Sequence, residues 1–159
     1  MDIVQLKKLD NSFYINNTHL KEALDNHNGS WTPGKTRGYG VVIILINNLS
    51  FAIPLRSNIK HKSSYITVRS NQKGLEGKGL DFTKALLIKE QRYISNLPFK
   101  ISKDEHKKLA NKEYYITSKF EKYVSKYITA IQKSDHHILQ SSNYRFSTLC
   151  NYHVELGLE

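Results

Sequence analysis

Apolar positions are patterned differently in the two halves of the chain. In the first half they come in short runs broken by turn formers, and in the second they recur at helical steps of three and four. "SFYINN" has the aromatic and β-branched content of a strand, and Asn17-Thr18 after it offers a cap for a helix over residues 19–27. "NGSWTPGKTRGYG" is rich in turn formers and leads into "VVIILIN", which reads as a strand buried on both sides. Asn47-Asn48 then predicts a hairpin into "LSFAIPL", because asparagine tolerates positive φ. "SSYITVRS" alternates as a half-buried strand. Gly74, Gly77 and Gly79 predict a mobile loop, and "LDFTKALLI" with "QRYIS" completes a small curved antiparallel sheet.

The longest predicted helix starts near residue 104 or 105 and runs to about 133. Ile116, Phe120, Tyr123, Val124, Tyr127 and Ile131 fall on one stripe and face the sheet. Lys119, Lys122, Lys126 and Lys133 form an adjacent stripe, either a solvated face or a track for an RNA backbone. A last helix over residues 144–156 is expected to bury Phe146 and Leu149, with Cys150 and His153 beside them and Gly157 as its cap. No internal repeat or low-complexity linker divides the chain, so residues 1–159 read as one α+β domain.

Composition adds a partner class. The net charge of +10 in 159 residues favours a polyanion, nucleic acid before membrane. The longest apolar run, residues 41–46, falls far short of the roughly 20 residues that span a bilayer, and no apolar signal segment follows Met1. A cytoplasmic protein is the expectation. The single cysteine, Cys150, excludes an intrachain disulfide framework and a thiolate metal cluster, and its ordinary reading is a small core residue.

Candidate chemistry lies in two stretches. In "RSNIKH", Arg56 and Ser57 fall at the mouth of a buried strand, with Lys60 and His61 just beyond. RNA cleavage without a metal requires a base for the 2′-hydroxyl, an acid for the departing 5′-oxygen, and cations or donors for the phosphate charge. This hexapeptide contains that complement, although a loop histidine and a strand-ending serine are also ordinary structural residues. In "PGKTRGYG", Lys35, Thr36 and Arg37 form a basic loop between glycines whose amides can approach a phosphate. It is not a P-loop, and neither is "GLEGKGLD", which reads as a loop able to close over substrate. His136 and His137 are adjacent and no Cys or carboxylate repeat supplies metal-ligand spacing, so neither a metal site nor a cofactor is expected, and no G-x-S-x-G elbow exists for a Ser-His-Asp hydrolase.

The segments "GYGVVIILINNLSFAIPLRSNIKH", "GKGLDFTKALLI" and "KFEKYVSKYI" together resemble the toxins of type III toxin–antitoxin systems, the ToxN/AbiQ group with its CptN and TenpN subgroups. The resemblance runs from "SFYI" to "NYHVELGL". It implies a small SH3-like β-barrel of the MazF/Kid type with added helices, and a metal-independent endoribonuclease acting in phage defence in the bacterial cytoplasm. The partners it implies are cellular or phage RNA as substrate and a small repetitive, pseudoknot-type RNA antitoxin, held in an oligomeric toxin–RNA complex. Ser57 matches the family's serine, Arg56 stands where a threonine precedes it, and the following lysine is displaced, with Ile59 nearest, then Lys60 and His61. The loop's basic residue is matched by Lys35 or Arg37, a first-strand aromatic by Tyr14, and a further lysine by Lys84. On this basis Ser57 and Arg56 hold the scissile phosphate, Lys60 or His61 transfers protons, and Lys35 and Arg37 stabilise charge. RNA contacts extend to Thr36, Tyr14, Lys84 and the helix lysines Lys119, Lys122 and Lys126. Without catalysis, the same features describe a nucleic-acid-binding regulator or a basic interaction module. A helix-turn-helix reader conflicts with the strand-rich centre, and "VVIILIN" lacks the paired aromatics of an RNA-recognition sheet.

Overall fold

The computed structural model describes residues 5–34 and 37–159. It shows an α+β fold whose antiparallel sheet is organised around one long strand, β5, Ser50–Ile59. The first half of β5 pairs with β4, Tyr39–Ile43, and with the two-residue β8, Leu86–Leu87. Its second half pairs with β7, Gly77–Asp81. Outward from β7 lies β6, Ser64–Arg69, and outward from β4 lie β1, Leu6–Leu9, and β9, Ile94–Pro98. The strand order is therefore β6-β7-β5-β4-β1-β9, with β8 beside β5. A separate two-stranded hairpin, β2 Asn26–His27 and β3 Ser30–Trp31, turns on Asn28 and Gly29, both at positive φ.

Helix α3, Glu113–Gln132, covers the sheet with the predicted stripe. Ile116, Phe120, Tyr123, Val124 and Tyr127 are buried, and Phe120 meets Phe51 of β5 edge-on at 5.2 Å and Phe82 at 5.5 Å. The helix predicted as continuous from residue 104 or 105 is two helices. Asn111 at φ 60 breaks it after α2, Lys103–Leu109, so that α2 reaches β6 while α3 runs back over the core.

Several other local expectations are corrected. "SFYINN" is helical within α1, Asn11–Asn16, because Asp10 accepts the Ser12 amide at 2.9 Å as a cap and the helix buries Phe13. Residues 19–27 form turns ending in β2, and the first strand is the earlier Leu6–Leu9. β4 is not buried on both sides: Ile43 is 63% exposed and, just beyond the strand, Leu45 is 79% exposed. The Asn47-Asn48 hairpin is present, both residues having positive φ. "LDFTKALLI" contributes the end of β7, one turn over Phe82–Lys84 and the short β8, whereas β9 begins only at Ile94. Near the C-terminus only Thr148–Asn151 forms a helical turn. Leu149 is buried and Gly157 has the capping φ of 75°, but Phe146 and Cys150 are exposed.

Of the glycines predicted to form a mobile loop, Gly74 lies in the turn before β7, whereas Gly77 and Gly79 lie in β7 inside the sheet. A Cβ on Gly77 would lie 2.1 Å from the Val68 carbonyl oxygen, and one on Gly79 would lie 2.0 Å from that of Tyr65. Glycine is what lets β6 approach so closely. Gly79→Ala is expected to destabilise the protein by at least about 3 kcal/mol or to abolish folding. Gly74→Ala, at positive φ in open space, should cost only about 1 kcal/mol. Urea unfolding of the two variants measures this difference.

Candidate functional site

Strand alternation places the residues of "RSNIKH" on two faces of the β5–β7 ribbon. Leu55 and Ser57 point to one side, into a cleft of about 460 Å³ that is also lined by Asp25, Arg37, Lys78 and Phe99. Arg56 points to the other, where its guanidinium meets Asp81 at 2.8 Å. Asn58, at φ 58, lies where the β5–β7 register breaks between Arg56 and Ile59, and that break delivers Ile59 to the core. The structure thus separates Ser57 from Arg56 and His61, which the sequence grouped together.

The cleft carries anchored cations. Arg37 is bound through Nε to Asp25 Oδ2 at 3.2 Å and through Nη1 to the Leu55 carbonyl at 2.8 Å, leaving its side chain 25% exposed. Exposed Pro33 and Gly34 form the rim. The Phe99 side chain packs against Gly38, where a Cβ would come within 2.7 Å of the ring. Lys78 faces the same space from β7. The arrangement combines a hydroxyl, two cations and an aromatic surface, groups suited to a phosphodiester and its base. Lys35 and Thr36 lie outside the described residues.

Behind the ribbon, Asp81 is fully buried. Its Oδ1 accepts from the Thr83 amide at 3.0 Å and the Thr83 hydroxyl at 2.6 Å and lies 3.1 Å from His61 Nε2, while Oδ2 takes Arg56. Burial alone would raise its pKa, but hydrogen bonds from His61, Thr83 and Arg56 pull it down to about 2. His61 Nδ1 accepts the Ser63 amide at 3.2 Å, so Nε2 carries the proton toward Asp81 and both ring nitrogens are engaged. In this geometry the ring has no lone pair to offer a substrate. Lys60 is exposed one residue past the end of β5.

The remaining candidates are dispersed. Tyr14 is half-buried, edge-on to Trp31 at 5.1 Å, and Asp25 and Arg37 are close enough to act on its phenol. Lys84 donates to the Glu22 carbonyl at 2.9 Å and the Phe146 carbonyl at 2.7 Å, tying two distant segments together, and burial lowers its pKa. Lys119 donates to the Ser64 carbonyl at 2.7 Å, whereas Lys122 and Lys126 are exposed and share a shallow depression with Lys62 and Asn143. Among the described residues no group of three His, Cys, Asp or Glu could hold a metal ion, and no helix is long and apolar enough to cross a membrane.

No protein-family model matches this chain, nor does any curated protein or solved structure. Sequence reasoning missed Lys78, hidden between glycines in a stretch read as a loop, and Asp81. The available signal for Asp81 was its spacing in "DFT", where an aspartate caps the amide two residues on.

Because the folded-state pKa of Asp81 lies below its unfolded value, its contribution is fully present above about pH 4 and is lost as pH falls through 2. The shift from 3.8 to about 2 corresponds to roughly 2 kcal/mol. Asp81→Asn should therefore be less stable at pH 7 by at least that much, with the gap to wild type closing toward pH 2. Urea unfolding across that range reads it, and a gap that does not change with pH would count against the cluster.

Proposed function

We propose that this chain is an endoribonuclease toxin of the type III toxin–antitoxin kind, cutting RNA by attack of the substrate's own 2′-hydroxyl. The observation that carries this reading is the convergence of Ser57 and the anchored Arg37 in one cleft on a chain of net charge +10. Ser57 and Arg37 donate to the non-bridging oxygens of the scissile phosphate, where negative charge develops. Asp25 neutralises and orients Arg37, leaving hydroxyl and cationic groups to meet the RNA. With His61 bound to Asp81, Lys60 is the remaining proton carrier of "RSNIKH". Arg56 acts through Asp81 on the shape of the ribbon.

The finer form of the reading follows the same resemblance. The antiparallel sheet is a variant of the small SH3-like barrel, and the protein works in the bacterial cytoplasm. A repetitive, pseudoknot-type RNA antitoxin blocks it by covering the cleft and the exposed lysines of α3, in a toxin–RNA oligomer. The engaged ring of His61 favours one competing reading, a nucleic-acid-binding regulator without catalysis.

Purified protein should cut a long RNA into fragments ending in a 2′,3′-cyclic phosphate, with activity persisting in EDTA. Ser57→Ala should lower kcat about 10²–10³-fold at unchanged thermal midpoint, and Arg37→Ala should lower it by a similar factor with some loss of stability, since it removes the contacts to Asp25 and the Leu55 carbonyl. RNA that is shifted in a gel but never shortened would establish the regulator instead. Lys122→Ala with Lys126→Ala should reduce the log–log salt slope of antitoxin-RNA binding by up to about two units. Lys119→Ala should mainly lower stability, since its ammonium is held by Ser64.

A further inference from the structure

Lys78 is the cleft cation to which the chemistry above gives no task. It projects from β7 between Gly77 and Gly79, lining the cleft with Ser57 and Arg37. Its Nζ lies 3.1 Å from Glu105 Oε2. Glu105 sits in the first turn of α2, where Ser102 caps the helix: the Ser102 hydroxyl accepts the Glu105 amide at 3.2 Å and donates to Oε1 at 3.1 Å. That capping box fixes the carboxylate and aims Oε2 at Lys78. Oε2 is buried, and the Lys78 ammonium is the charge set against it.

A partly buried ion pair of this kind is poor value for stability, because two apolar side chains of similar size usually do as well. The pair is also lopsided: the Glu105 side chain is 8% exposed and that of Lys78 is 39%. An ammonium has three hydrogens, and a single carboxylate oxygen occupies one of them. The Lys78 side chain, more than a third exposed, also lines the cleft. Arg37 is built on the same plan, held by Asp25 at the cleft wall with a quarter of its side chain exposed. Two cations, each steadied by a carboxylate, thus line one groove beside Ser57.

We propose that Lys78 is a phosphate-binding residue of the cleft, gripping an RNA backbone phosphate as a point charge with its ammonium steadied by Glu105. The inference rests on the RNA reading of the cleft but not on catalysis. It assigns Lys78 to the backbone, so its contribution is the same for any base sequence.

The probe is a short 2′-O-methyl RNA oligonucleotide, which lacks the attacking hydroxyl and so reports binding alone. The test variant is the double substitution Lys78→Met with Glu105→Gln. It removes one positive and one negative charge, strands no buried ion, and leaves the net charge of +10 unchanged, so a loss of affinity is not a bulk electrostatic effect. Affinity at low salt should fall about tenfold, as expected for one charge-assisted hydrogen bond. The salt slope should fall by about one unit, equally for oligonucleotides of different sequence. Lys78→Arg keeps the charge and should keep most of the slope, and Lys78→Gln removes the charge by itself and provides the comparison if the double variant does not fold. Wild-type slope in the double variant, affinity lost without a change in slope, or an Arg variant that binds as poorly as one without the charge would overturn the assignment. Wild-type protein that binds the oligonucleotide but leaves unmodified RNA intact removes the nuclease reading while the Lys78 result stands. Failure of the wild type to bind at all removes both.

Discussion

The buried carboxylate of Asp81 is the constraint on which the functional end of the molecule depends. An ionised carboxylate inside a protein is tolerable only when its lone pairs are filled, and here a guanidinium, an imidazole, a hydroxyl and a backbone amide fill them. Those partners come from β5, from the segment after it, and from the turn that follows β7. One charge therefore fixes the relative positions of three segments that share no local sequence logic. Ser63, whose amide bonds His61, extends the network through its hydroxyl to Asn143, and Asn143 in turn accepts from Tyr123 of α3. The electrostatics behind the ribbon are thus joined to the helix that covers the core.

Fixing the back of the ribbon determines what its front presents. With Arg56 drawn inward, alternation aims Ser57 at the cleft, and the close approach of β6 to β7 at Gly77 and Gly79 holds Lys78 at the same surface. The residues most polar in sequence are consequently of two kinds. Arg56, His61, Lys84 and Lys119 use their polarity on partners within the protein. Ser57, Arg37 and Lys78 retain capacity for a ligand.

The charge excess shows the same division. A net +10 is a property of the whole chain, but several cations are countered where they stand: Arg37 by Asp25, Arg56 by Asp81, Lys78 by Glu105. The exposed lysines of α3 are the part of the predicted stripe that remains open to solvent. A polyanion would therefore meet an open helix face and a cleft whose cations are already oriented, and orientation before binding lowers the entropy lost on association.

Periodicity made the long amphipathic helix legible, because the residues that bury it recur on its own axis; the same holds for the Asn47-Asn48 hairpin, where positive φ is a local property of the residue type. The α+β class, the basic charge and the candidate stretches "RSNIKH" and "PGKTRGYG" were likewise properties of neighbouring residues. What misled was equally local. "SFYINN" has strand propensity, yet a cap at Asp10 and a pocket for Phe13 made it helix, and "GLEGKGLD" has loop composition, yet a backbone approach that only glycine permits made its "GKGLD" part a strand. Only the tertiary structure decided that Arg56 and Ser57 part company, that His61 serves a buried carboxylate, and that Lys78 joins Ser57. Each of those outcomes depends on which strand lies next to which, and a pairing across twenty or more residues is set by the packing of the whole core, which no local pattern encodes.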